Sequence, residues 1–402
     1  MIKVYPRKQL DFTYNDIFNA LMISFNPRRI KENPVKKIEE LWPKEHVIVG
    51  LSVRTILDTL LTLKNFAHGS EVIMSAINIP DMVDIIESHG LKIISVDIDL
   101  KTMQCKEREV SNAITDKTVM VLIAHLFGSR MNMEPIYNAL DKHPNIFIFE
   151  DCAQAFEGIN GYIRGHKTDM SAFSFGSIKS ITALGGAIGF TKNVTLKLEM
   201  IKLLGENKKN TDSAFRVKIF KYIGLKFLSN EFVYGIFILT CRFLTIDYDQ
   251  LIISSIRMVK RKNLFKTIRK SLPSSQIRYL LNRLKSTQND HFEKRIDAGN
   301  YVYSKLKKSI VHGSRNETKN YWLFPIQTKS RESIVKSLLK SGFDATFSST
   351  QLISIKPTDK DQKVPRNCKR FMSEIVYIPV YDSIPKHRLD VLASIINEKT
   401  TA

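Results

Sequence analysis

Residues 145–189 read NIFIFEDCAQAFEGINGYIRGHKTDMSAFSFGSIKSITALGGAIG. An apolar run, Ile146 to Phe149, stops at two acids, Glu150 and Asp151. A second short apolar strand follows, then Lys179, then the pair Gly185-Gly186. A carboxylate at a strand end and a lysine on a glycine-flanked loop are the two groups that pyridoxal 5'-phosphate (PLP) chemistry requires. The lysine amine condenses with the cofactor aldehyde, and the acid keeps the pyridinium nitrogen protonated so that the ring can accept electrons. Either residue alone reads as an ordinary strand end or a surface lysine. The ordered set does not.

The motifs EDCAQAFEG, GHKTD and AFSFGSIKSITALGGA, in that order, resemble the DegT/DnrJ/EryC1/StrS family of sugar aminotransferases. Carried over residue by residue, the resemblance implies that Asp151 pairs with the pyridinium nitrogen and that Gln154 lies against the ring. It implies further that Ser174 binds the phosphate and that Lys179 holds the cofactor. Gly69 to Asp99, Val121 to Ile136 and Ser373 to Asn397 are also similar to family segments, so the likeness covers most of the chain. The stretch from Glu206 to Gln288 has no counterpart.

Working outward, short β-rich runs alternate with helical stretches. Strands are expected at His46–Val49, Glu71–Met74, Lys92–Val96, Val119–Ala124, Asn145–Phe149, Met170–Phe175 and Ala187–Thr191, with helices starting near Ser52, Asp81, Glu134 and Lys192. Such alternation predicts an α/β fold with a mostly parallel seven-stranded sheet covered on both faces. Ligands then bind at the carboxyl ends of the strands, where Asp151 falls. The resemblance makes this PLP-dependent transferase fold type I, aspartate-aminotransferase-like. Three parts are expected: a large PLP-binding domain (1–205), a helical basic and apolar insert (206–289), and a smaller C-terminal α+β domain (290–402). In the last, a long helix from Asp290 leads into two or three strands and a final helix.

Three departures from the family pattern stand out. Family members carry Ser-Gly-Thr before the first helix of the large domain, where this chain has Ser52, Val53 and Arg54. A helix N-terminus still offers free N–H groups to a phosphate, and Arg54 either adds a charged contact or points to solvent. Where relatives place a ring-stacking aromatic, this chain has Asn78 and Ile79, leaving Ile79 to cover the ring. The G-x-N-x-R motif that reaches the partner's phosphate in family dimers is missing. In its place stands FRVKIFKYIGLKFLSNEFVYGIFILTCRFL, residues 215–244.

The 402 residues carry 43% hydrophobic residues and a net charge of +21. The length predicts a sizeable core. The charge predicts an acidic partner: nucleic acid, an anionic membrane face or a phosphorylated substrate. No aromatic-basic interleaving supports nucleic acid. The uncharged run Phe232 to Cys241 is too short to span a bilayer. It is followed by Lys260, Arg261, Lys262, Lys266, Arg269, Lys270, Arg278 and Arg283, with no acid between Arg257 and Lys285. An apolar helix beside a basic stretch suits peripheral contact with an anionic membrane. A buried dimer-interface helix and a solvated basic face are the competing readings. Four scattered cysteines, Cys105, Cys152, Cys241 and Cys368, lack metal-ligand spacing. They fit a reducing compartment. With no signal-like N-terminus, the expected location is cytoplasmic, with contact at the inner face of the membrane.

The function implied is amino transfer from an amino-acid donor such as glutamate to a nucleotide- or lipid-linked keto-sugar, by a homodimer, in surface polysaccharide or glycoconjugate biosynthesis. Relatives that dehydrate sugars carry histidine in place of the lysine, so Lys179 favours transamination. His125, His166 and Asp169 are secondary candidates with structural roles expected, and Tyr162 and Arg164 fall where the chain could approach a sugar. The rival is a noncatalytic membrane- or nucleic-acid-associated protein on a diverged aminotransferase scaffold.

Overall fold

The computed structural model describes residues 2–26, 33–256, 263–286, 290–313, 316, 318–348, 351–359 and 362–400. Arg257, Lys260, Arg261 and Lys262 of the basic run lie outside them.

Seven strands form the main sheet: β1 His46–Gly50, β2 Glu71–Ser75, β3 Lys92–Val96, β4 Thr118–Ala124, β5 Phe147–Asp151, β6 Met170–Ser174 and β7 Ala187–Thr191. Their spatial order is β1-β7-β6-β5-β4-β2-β3. All neighbours are parallel except β7, which runs antiparallel to both β1 and β6. Those two reversals cancel, so β1 points the same way as β2 to β6. The C-termini of β1, β2, β5 and β6, and the start of β7, therefore share one edge. The α/β, mostly parallel, seven-stranded reading holds, with strand ends moved by up to two residues.

Alternation along the strands sorts side chains onto two faces. Val72, Met74, Leu122 and Phe149 join Ile56, Leu57 and Leu60 of the helix Val53–Lys64 and Ile85 of the helix Pro80–Ser88. Ile73, Val121, Ile123 and Ile148 instead meet Val110, Ile136 and Tyr137. A sheet covered on both faces explains why its strands are apolar almost throughout.

A third cluster gathers Leu10 and Phe12, Val47 of β1, Phe173 of β6 and Ile188 of β7. Phe215, Ile219 and Tyr222 of the helix Asp212–Leu228 pack into it, as do Tyr279, Leu280 and Leu284 of the helix Ser274–Ser286. The segment 206–289 thus contributes side chains to the core beside the sheet.

The C-terminal part pairs Phe324–Gln327 antiparallel with Ile375–Ile378. Its core brings together Val302, Ile334, Leu338, Leu389, Leu392 and Ile396 from three helices, Asp290–Lys305, Arg331–Lys340 and Lys386–Lys399. The middle one, and Arg366–Glu374, were not among the expected elements. Both are short and carry basic residues, so their apolar spacing is thin.

The N-terminal segment ties the parts together. Tyr5 bridges Phe343, and Val4 N–H donates to Glu231 O. Arg7 ion-pairs with Asp344 at 2.7 Å and also with Asp249. Tyr234 Oη donates to the same Asp344 at 2.5 Å.

Candidate active site

Asp151 is the last residue of β5 and is buried. Its Oδ1 accepts from Ala153 N–H at 3.1 Å. Burial pushes its carboxyl above the usual range, and the Ala153 N–H and the Lys179 charge offset this only partly. Lys179 sits on the loop from β6 to β7, held by its own N–H donating to Gly176 O at 3.0 Å. Burial lowers its ammonium to about 8, with Arg54 adding to the effect and Asp151 opposing it.

The loop returns to the sheet through Gly185 and Gly186, with φ of 139° and 101°. A Cβ at Gly185 would meet Gln276 Nε2 at 2.8 Å. Glycine is required there both for the backbone conformation and for the close approach of the helix Ser274–Ser286.

One cavity of about 240 Å³ collects the predicted set. Its lining includes Lys179 and Asp151, and with them Gln154, Ser174, Ser52, Val53, Arg54 and Ile79. Ser52 caps the helix Val53–Lys64, its Oγ accepting from Thr55 N–H at 3.2 Å. The N-terminal N–H groups and the dipole of that helix favour an anion at this end. Arg54 does not run out to solvent: it lines the cavity and ion-pairs with Asp81. Gln154 Oε1 accepts from Phe127 N–H at 2.8 Å. Asn78 is buried, its Oδ1 accepting from Ile79 N–H at 2.7 Å, and Ile79 is one of several apolar side chains on the cavity wall.

Other expectations fare differently. Tyr162 is turned toward the strand end, its Oη donating to Glu150 at 2.5 Å. Arg164 is likewise turned inward, pairing with Glu45 at 2.8 Å, and neither residue lines the cavity. Glu150 also receives His125 Nε2 at 2.7 Å, Gly165 N–H at 2.8 Å and the Thr168 hydroxyl. Burial would raise the Glu150 carboxyl, but His125, Thr168 and Tyr162 together hold it below the ordinary range. His125 is therefore a structural partner. His166 is exposed on the surface, and Asp169 accepts from Ile148 N–H at 2.7 Å, fixing the chain before β6. Cys152 is fully buried, and burial raises its thiol well above the usual range.

Trp322 was not foreseen. Lys179 Nζ lies 4.0 Å from its ring centroid, and Lys8 Nζ lies 4.4 Å from the same centroid. The indole N–H donates to Ile178 O at 2.8 Å. Gly128 admits this loop, since a Cβ there would meet Trp322 N at 2.5 Å. A tryptophan at the start of an apolar run, Leu323 to Ile326, far from Lys179 in sequence, carries no local mark of such a role.

Residues 35–231 match the family described as the DegT/DnrJ/EryC1/StrS aminotransferase family. GDP-perosamine synthase of Escherichia coli O157:H7 is 33% identical over 171 residues, which is 41% of this chain and 47% of that protein. The dTDP-3-amino-3,6-dideoxy-alpha-D-galactopyranose transaminase of Aneurinibacillus thermoaerophilus is 31% identical over 165 residues, 40% of this chain and 44% of that protein. The matches thus span about half the length of these curated relatives. The solved structure of Helicobacter pylori PseC superposes with a TM-score of 0.70 at 17% identity, covering 99% of this chain and 100% of that one. The fold is shared along the whole chain, and residues 35–231, just under half of it, carry the match to the DegT/DnrJ/EryC1/StrS aminotransferase family.

Proposed function

We propose that this protein is a PLP-dependent aminotransferase that moves an amino group from an amino-acid donor, glutamate, to a nucleotide- or lipid-linked keto-sugar in surface polysaccharide or glycoconjugate biosynthesis. The donor leaves as its 2-oxo acid, and the sugar carbonyl becomes the amine. The observation that carries this reading is that Lys179, on the β6–β7 loop, and Asp151, at the end of β5, open onto one cavity with an anion-favouring helix N-terminus in its wall. A diverged, noncatalytic scaffold gives no reason to keep a half-buried lysine and a buried carboxylate together. The names of the relatives, a perosamine synthase and a sugar transaminase, support the same reaction class.

The residues fit the cofactor. The cavity, about 240 Å³, suits a substituted pyridine bearing a phosphate, and Ser52, Ser174 and the first turn of the helix Val53–Lys64 would hold that phosphate. Arg54 stands beside them, already balanced by Asp81. When bound, PLP supplies an electron sink for the charge that develops as the donor's Cα loses its proton. Asp151 would face the ring nitrogen and keep it protonated. Lys179 would anchor the cofactor and, once displaced, move the Cα proton. Its amine near pH 8 is well matched to that task. Ile79 and Gln154 would bound the ring.

The test is chemical. Borohydride reduction of the purified yellow protein should fix the cofactor to Lys179, located by peptide mass. Lys179→Ala should lose both the label and turnover, and an alanine variant that still transaminates would end the reading.

We further propose a cytoplasmic homodimer with peripheral contact at the anionic inner membrane face. What supports it is exposed apolar area: Val217, Phe220 and Phe227 on one helix, Phe232, Ile236 and Phe243 on the next. Tyr14, Phe18, Met22 and Phe25 form a further exposed stripe available for the dimer contact. Among the described residues no single helix is long and apolar enough to cross a membrane. The pair Asp212–Leu228 and Glu231–Phe243 passes only together, bent by 90°.

A further inference from the structure

A second cavity, about 450 Å³, adjoins the first and shares Lys179, Lys8, Arg7 and Trp322 with it. Its wall carries more cations than carboxylates, and the pairing is uneven. Arg7 is neutralised by Asp344 and Asp249, and Arg283 lies 2.8 Å from Asp16. Lys8 and Arg295 are different. No carboxylate among the described residues ion-pairs with either. Lys8 donates to the Trp322 carbonyl, a neutral acceptor. Arg295 donates through Nε to Asn320 O at 2.6 Å and through Nη1 to Ser180 Oγ at 2.8 Å. Its Nη2 is buried with no partner. Asp11, Asp382 and Glu157 act on this guanidinium only at longer range.

Burying a cation without a counterion costs several kcal/mol, and a guanidinium fork held at two nitrogens presents the third in a fixed direction. The two cations also frame the reacting amine. Lys8 and Lys179 lie against one indole ring, and Arg295 is bonded to Ser180, next to Lys179 in the chain. In an α-amino acid the carboxylate and the amine are attached to the same carbon. A donor whose amine reaches Lys179 must therefore place its carboxylate within a few ångströms of it. The phosphate of a glycosyl diphosphate lies farther from a ring carbonyl.

We propose that Lys8 and Arg295 form the subsite that seats the carboxylate of the amino-acid donor beside Lys179. The proposal rests on the aminotransferase reading. It concerns binding only, and it makes Lys8 and Arg295 the residues that hold the donor's α-carboxylate.

The experiment uses the holoenzyme and its Arg295→Gln, Arg295→Lys and Lys8→Gln variants. Two probes are titrated by calorimetry: glutarate, a dicarboxylate without an amine, and inorganic pyrophosphate. The donor half-reaction is followed separately by the change in cofactor absorbance on adding L-glutamate. Arg295→Gln and Lys8→Gln should each weaken glutarate at least tenfold and raise the half-saturating glutamate concentration by a similar factor. Pyrophosphate binding should stay unchanged, and Arg295→Lys should recover part of the loss. A mere brace between loops would not discriminate between the two anions. Unchanged glutarate binding in both glutamine variants overturns the proposal. Loss of pyrophosphate alone also overturns it, because the subsite would then hold the acceptor's phosphate. Borohydride labelling of Lys179 separates the two readings: its failure removes the aminotransferase assignment, while glutarate still decides the carboxylate site.

Discussion

At the residue scale, the behaviour of Lys179 follows from where it stands. Burial disfavours its charged form, and the single nearby carboxylate does not fully restore it. Reaction of the cofactor-free protein's Lys179 with an amine-directed reagent such as trinitrobenzene sulfonate should rise with a midpoint near pH 8. A midpoint near the ordinary lysine value would show that the amine is solvated. The same depression has a stability consequence. The unfolded chain binds more protons than the folded one between about pH 8 and the ordinary lysine value, so this group's contribution to stability increases with pH across that window. Asp151→Asn keeps the Ala153 contact and the shape but removes the charge facing the ring. We expect a loss in kcat of at least about 100-fold, with little change in thermal midpoint.

At the element scale, the site depends on loops brought together by close backbone approach. The turn at Gly128 accepts the chain at Asn320 and Trp322, with Asn320 N–H donating to Gly128 O at 2.8 Å. A methyl at Gly128 would meet Asn320 Oδ1 and Trp322 N well inside contact distance, at a φ of 85°. Gly128→Ala should therefore displace the indole from Lys179 and lower activity, visible as a red shift and quenching change in tryptophan fluorescence. The other tryptophan, Trp42, is buried elsewhere and donates to Ile159 O at 2.8 Å, so Trp42→Phe isolates the signal. The helix Val53–Lys64 depends on its cap: Ser52→Ala removes the acceptor for Thr55 N–H and should cost about 1 kcal/mol in urea unfolding. It should also weaken retention of the cofactor.

At the scale of the whole molecule, the N-terminal segment is a strap whose charge network closes the structure. Asp344 is fully buried and engages Arg7 and Tyr234. Asp344→Ala leaves the Arg7 guanidinium in a buried site without that partner, so stability should fall by about 3–5 kcal/mol. Chemical denaturation checks this, and a loss under 1 kcal/mol would mean that water compensates the arginine. Outside, the exposed apolar surface predicts association. Phe220→Glu with Phe243→Glu should abolish flotation with anionic liposomes while leaving the fold intact, because neither side chain is buried (58% and 87% exposed). Deleting the segment would be uninformative, because Phe215, Ile219, Tyr222 and Tyr279 belong to the core.

What the sequence determined is local and periodic. Alternating apolar runs placed the seven strands, because a strand buried on both faces must be apolar along its length. The acids after Phe149 and the lysine before Gly185-Gly186 placed the site at one sheet edge, because parallel strands end together. Other features escaped because their cause is distance in the chain. Trp322, Lys8 and Arg295 are unremarkable in their own neighbourhoods and acquire meaning only when the N-terminal strap, the β6–β7 loop and the long helix Asp290–Lys305 meet. Position in the chain does not reveal that Tyr162 is held by the buried Glu150 and Arg164 by the half-buried Glu45. The run Phe232–Cys241 shows the same limit. It reads as uniformly apolar, but the fold buries Tyr234, Gly235, Ile238 and Cys241 and exposes the opposite face. Periodicity specifies which face of an element is apolar; only packing against partners distant in sequence decides what that face meets, and so which charges are left to bind a ligand.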